Sequence, residues 1–173
     1  MILRLLGSVL VIFACTVLGL YYSMRDSFRI TDLTELKKAL VLLKGEIEFT
    51  LTPLPEAAAT VAGRLKPAIA RFFELFSFNL SNDSGLTAAS AWCEAVKDGL
   101  SRLHLNEEDL RNVERLGETL GYLSKQTQLE GLEMAVLYLD DQIGRLRGSE
   151  TQNKRLYRSV GVILGALIVI ILI

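Results

Sequence analysis

The sequence predicts an all-α protein: a helical bundle of about six helices, the first and last continuing into or toward transmembrane segments. Three observations predict it. The chain begins and ends in long apolar runs, LLGSVLVIFACTVLGLYY at 5–22 and SVGVILGALIVIILI at 159–173. Between them, apolar residues recur at steps of three and four, the spacing of one helical face. No stretch alternates apolar and polar residues over the length of a strand.

The ends are read first. As a helix, residues 5–22 would span about 27 Å, close to the roughly 30 Å of a bilayer's hydrocarbon core. The run at 159–173 reaches roughly 22 Å, so it needs Tyr157 at the interface, Arg158 snorkelling outward, or a thinned bilayer. Gly161 and Gly165 form a small-xxx-small face suited to close packing of membrane helices. Arg25, Arg29, Lys37 and Lys38 follow the first run, against Arg4 before it. Arg145, Arg147, Lys154, Arg155 and Arg158 precede the second, and no charge follows it. Basic residues collect on the cytoplasmic side of membrane helices, so the domain between the runs is expected in the cytoplasm. The expected division is an N-terminal transmembrane helix at 1–24, a cytoplasmic bundle at 25–155 and a C-terminal transmembrane helix at 156–173. The alternative is an exported lipoprotein, because IFAC at 12–15 faintly resembles a lipobox. Against it stand the bulk of Phe13, the apolar run continuing past Cys15, and the basic flank.

Within the middle, Leu33, Leu36, Leu40, Leu43 and Ile47 form one stripe. Asp32 with Glu35 could cap its start unless the helix simply continues from the membrane. Thr52 is the expected N-cap of a second helix, with Pro53 and Pro55 in its first turn, where missing N–H groups cost nothing. Ile69, Phe72, Phe73, Phe76 and Leu80 mark a third helix, ended by the turn formers of SNDSG. Thr87 can cap a fourth, carrying Ala91, Trp92, Ala95 and Val96. Asn106 followed by Glu107, Glu108 and Asp109 sets acids at the positive end of a fifth. Leu129, Leu132, Val136, Leu139, Ile143 and Leu146 are the stripe of the last, with Asp141 and Arg145 as a surface pair.

Composition narrows the function. Nineteen basic and 20 acidic residues leave a net charge of −1, and no basic run is interleaved with aromatics, so nucleic acid is not the expected partner. The single histidine, His104, reads as a partly exposed interhelical residue, and no phosphate-binding loop or His/Cys cluster accompanies it. Cys93 reads as a small core residue. Glu46 with Glu48, Glu107 to Asp109, and Asp140 with Asp141 lie one or two residues apart on helices. They diverge around the axis and read as solvated faces. Gly117 and Gly121 are spaced for close helix packing or a helix end, and Trp92 reads as a core anchor. No catalytic residue, metal, cofactor or small-molecule substrate is expected.

Several stretches carry a resemblance: LRLLGSVLVIFACTVLG, LKKALVLLKGEIEFTLTPLPEA, LTAASAWCEAV, LGETLG and NKRLYRSVGVILGALIVIIL, in that order. Together they resemble the stage III sporulation protein AB family of endospore-forming bacteria over nearly the whole chain. The resemblance implies a non-enzymatic, membrane-anchored component of the channel complex between mother cell and forespore, in the mother-cell membrane that faces the forespore. It implies a domain similar to the helical domains of the type II secretion platform protein. The implied partners are the sporulation ATPase, stage III sporulation protein AA, and other membrane proteins of the complex. The charged faces at 46–56 and 107–115 are the expected contacts, with Glu46, Glu48, Glu56, Glu107, Glu108, Arg111 and Arg115 as candidate residues.

Overall fold

The computed structural model describes the backbone of residues 2–50, 52–82, 85–121 and 124–172, and the side chains of those lying between 25 and 148. Among the described residues there are six helices and no strand: α1 (Ile2–Phe49), α2 (Leu54–Ala62), α3 (Pro67–Ser81), α4 (Ala88–Gly99), α5 (Glu107–Leu120) and α6 (Lys125–Leu172). The side chains of the two apolar runs, Cys15, Gly161 and Gly165 included, lie outside the described residues. Among the described residues no helix is long and apolar enough to cross a membrane. The chain forms two compact units, Met1–Ile30 with Gly144–Ile173, and Thr31–Ile143. The second holds the helical core.

α1 contains no break at Asp32. Inside a continuous helix the backbone N–H groups are already bonded one turn back, so the cap expected from Asp32 and Glu35 does not form. Both carboxylates instead reach other elements. Asp32 Oδ2 accepts the backbone N–H of His104 at 2.8 Å and lies 3.0 Å from His104 Nδ1. Glu35 Oε1 pairs with Lys66 Nζ at 2.9 Å. The second connection also corrects an expectation: Pro53, not Thr52, is the N-cap of α2, and no side chain caps that helix. Pro55 at the second helical position has no N–H to offer, and the Thr52 hydroxyl lies against Thr50 Oγ1 at 2.6 Å.

The remaining starts follow the residues predicted for them. Thr87 Oγ1 accepts Ser90 N–H at 3.2 Å ahead of α4. Ahead of α5, Asn106 Oδ1 accepts Asp109 N–H at 2.7 Å while Asp109 Oδ2 accepts Asn106 N–H at 3.0 Å, a reciprocal capping box. Between α3 and α4 the chain turns at Gly85, whose φ of 67° a residue with a Cβ adopts only with strain.

In the unit 31–143 the stripe of α1 is buried at Leu33, Leu36, Leu40, Leu43 and Ile47. α2 packs on α3, α3 on α4 and α4 on α5. Trp92 anchors this sequence of contacts. Its ring meets Phe72 and Phe76 edge-on, with centroids 4.7 and 4.8 Å away, and Phe73 at 6.1 Å. Its indole N–H donates to the Val113 carbonyl at 2.7 Å. All four aromatic side chains are fully buried, and burial of each stabilises the fold by roughly 1.5–3 kcal/mol. Gly117 is what lets α5 approach the ring, since a Cβ there would come within 2.6 Å of Trp92 Cδ1.

Within this unit α6 runs antiparallel to α1. Lys37 pairs with Asp140 at 2.6 Å, Lys44 with Glu133 at 3.0 Å, and Lys125 Nζ donates to the Glu48 carbonyl at 2.6 Å. As the residue number rises along one helix it falls along the other. Leu132, Leu139 and Ile143 are the buried part of the α6 stripe, while Leu129, Val136 and Leu146 stand at its half-buried margin.

Candidate partner-contact surfaces

The two charged stretches are built differently. At 46–56, the end of α1 and the start of α2, Glu46 is committed within the fold. Its carboxylate is 12% exposed and pairs with Arg64 Nη1 at 3.3 Å, tying the connection after α2 back to α1. The Glu48 and Glu56 side chains are exposed. Glu56 lies in the first turn of α2, where the helix dipole favours a negative charge. The α5 stretch is the more exposed one. Glu107 and Arg111 form an i,i+4 pair at 3.4 Å, with their side chains 90% and 64% exposed. Glu108 and Arg115 are exposed and make no ion pair among the described residues. No described ion pair or side-chain hydrogen bond joins the two stretches.

Beneath the α5 charges lies a residue that the sequence places among them wrongly. Asp109 is completely buried, so the solvated-face reading of Glu107 to Asp109 holds for the first two acids only. One Asp109 oxygen closes the capping box and the other accepts the Tyr138 hydroxyl of α6 at 3.3 Å. The cap thereby fixes the start of α5 against α6 and sets the direction in which Glu107, Glu108 and Arg111 project. Asp140 is exposed, as the solvated-face reading has it, and is also paired with Lys37.

Two other groups were singled out in the sequence. His104 is half exposed and tethered to Asp32. Cys93 is partly buried on α4; burial raises its thiol above the ordinary pKa, with Glu114 and Glu118 adding to the rise and Lys97 opposing it. No group of three or more His, Cys, Asp or Glu side chains suited to a metal ion occurs among the described residues. Sequence reasoning missed the paired columns Lys37 with Lys44 and Glu133 with Asp140. Their shared seven-residue spacing was the available signal, since it returns each pair to the same face of its helix.

Comparison with known proteins adds three findings. The family model described as stage III sporulation protein AB matches residues 4–173. The stage III sporulation protein AB of Bacillus subtilis (strain 168) is 27% identical over 170 residues, which are 98% of this chain and 99% of that protein. A solved structure of stage III sporulation protein AB superposes with a TM-score of 0.67 at 26% identity, covering 72% of this chain and 98% of the other.

Proposed function

The chain belongs to the stage III sporulation protein AB family and has a role in sporulation; from that premise we propose that it acts without catalysis, as a membrane-anchored platform in the channel complex between mother cell and forespore. In this reading the terminal apolar runs hold the protein in the mother-cell membrane that faces the forespore. The helical domain stands in the cytoplasm and offers a charged surface to the sporulation ATPase, stage III sporulation protein AA. The basic residues flanking both runs support that orientation.

The observation that carries the proposal is the α5 surface. Glu107, Glu108, Arg111 and Arg115 add nothing to the core, yet the buried Asp109 and its capping box hold their helix in a fixed direction. Exposed charges on a rigid element orient a partner and speed its encounter more than they add to affinity. Glu48 and Glu56 are a second, smaller exposed pair for other membrane proteins of the complex.

The test is reversal of the α5 charges in full-length protein, Glu107→Lys with Glu108→Lys in one variant and Arg111→Glu with Arg115→Glu in another. Each is purified from sporulating cells and scored for the ATPase that accompanies it. The proposal predicts loss of the ATPase from at least one variant while thermal unfolding stays close to wild type. Retention by both would remove α5 as the contact. Digestion of the domain by protease added outside intact cells would contradict the orientation.

A further inference from the structure

Where α1 lies beside α6 in the unit 31–143, the surface is built in rungs. Lys37, Val41 and Lys44 follow at steps of four and three along α1, and Glu133, Leu137 and Asp140 do the same along α6. The antiparallel register sets the two rows side by side, with Lys37 on Asp140 and Lys44 on Glu133. Val41 and Leu137 form the rung between these bridges. They are 49% and 57% exposed, and Met134 beside Leu137 is 69% exposed. Apolar side chains gathered on a surface and bounded by charge are the mark of a contact surface.

We propose that this face binds a second copy of the same chain about a two-fold axis parallel to the helices. Such an axis lays α1 of one copy over α6 of the other without changing height along the bundle. Lys37 then meets the second copy's Asp140, Lys44 its Glu133 and Val41 its Leu137, and each contact recurs on the opposite side of the axis. The result is an antiparallel four-helix arrangement with an apolar middle rung and squares of alternating charge above and below it. Charge complementarity is what selects the occupant. A face carrying one sign would repel its own copy, whereas this one carries a basic column on α1 and an acidic column on α6 at matched heights. The exposed bridges fix register and orientation, and the apolar rung supplies the attraction.

The test uses two differently tagged full-length chains expressed together, one with Val41→Cys and the other with Leu137→Cys, both carrying Cys15→Ser and Cys93→Ser. Oxidation is expected to join the two tags through a disulfide. Lys44→Glu in both chains should abolish that product, and Lys44→Glu combined with Glu133→Lys should restore it, with circular dichroism unchanged throughout. Light scattering of the wild-type chain in mild detergent should give the mass of two protein chains, reduced to one by Leu137→Glu. The proposal is overturned by folded chains that yield no cross-tag disulfide, or by a disulfide indifferent to Lys44→Glu. It is equally overturned if the Val41→Cys chain joins a different protein and not the Leu137→Cys copy.

Discussion

Alanine at Gly117 tests how tightly α5 is set against Trp92. In a helix interior, glycine to alanine is favourable by about 1 kcal/mol from backbone entropy alone. Gly45, within α1, has nothing within 4 Å of its would-be Cβ, so Gly45→Ala should show that gain undiminished. At Gly117 the same methyl group lands 2.6 Å from Trp92 Cδ1 and 3.0 Å from its Cβ and Cγ. The indole cannot swing aside, because Phe72 and Phe76 stand against it and its N–H is bonded to Val113. Overpacking of this kind costs about 1–3 kcal/mol, which cancels the propensity gain and leaves a net loss of up to roughly 2 kcal/mol. At a few degrees per kcal/mol the upper end is a fall in Tm on the order of 5 °C. Both variants can be followed by circular dichroism, and Trp92, the sole tryptophan, reports the site by fluorescence. In a Trp92→Phe background the smaller ring should relieve the clash, so that Gly117→Ala moves back toward the value for Gly45→Ala. A Gly117→Ala protein as stable as Gly45→Ala, with unchanged emission, would refute the reasoning.

Asp109→Ala removes the capping box and the Tyr138 contact together, and should destabilise by about 1–3 kcal/mol in urea titration; Glu108→Ala one residue earlier should change little. Asp32→Ala releases the segment before α5, with faster amide exchange expected at His104 and its neighbours, and a cost of about 1 kcal/mol for hydrogen bonds at this half-exposed tether. The burial that raises the Cys93 thiol, aided by Glu114 and Glu118, favours its protonated form in the folded protein. Its stabilising effect is therefore present below the ordinary thiol pKa and lost as pH rises through the raised value. Alkylation of Cys93, followed by mass spectrometry against a urea-unfolded control, should be slower in the native protein and reach its midpoint at higher pH.

The helices themselves were legible because helical burial leaves a local trace. The α1 and α3 stripes, the anchor at Trp92 and the caps at Thr87 and Asn106 are each written within a few residues. Contacts across the fold leave no such trace. Asp32 and Glu35 look like a helix start from their neighbours alone, and only the long-range partners His104 and Lys66 show what they do. Asp109 is locally one of three adjacent acids, and its burial depends on Tyr138, 29 residues away. At the candidate surfaces the sequence located the charged stretches but not which charges were already committed. Glu46 is taken by Arg64, while the α5 charges stay exposed.

The spacing of the α1–α6 bridges also decides which displacements are open to these helices in the unit 31–143. Sliding α1 by one turn, about 5 Å, brings one or other lysine opposite Leu137 and breaks both bridges. A shift of two turns recovers a single pair. The resting position is thus a detent, and an axial pull on α1 within this unit is shared by α6 until both catches give way.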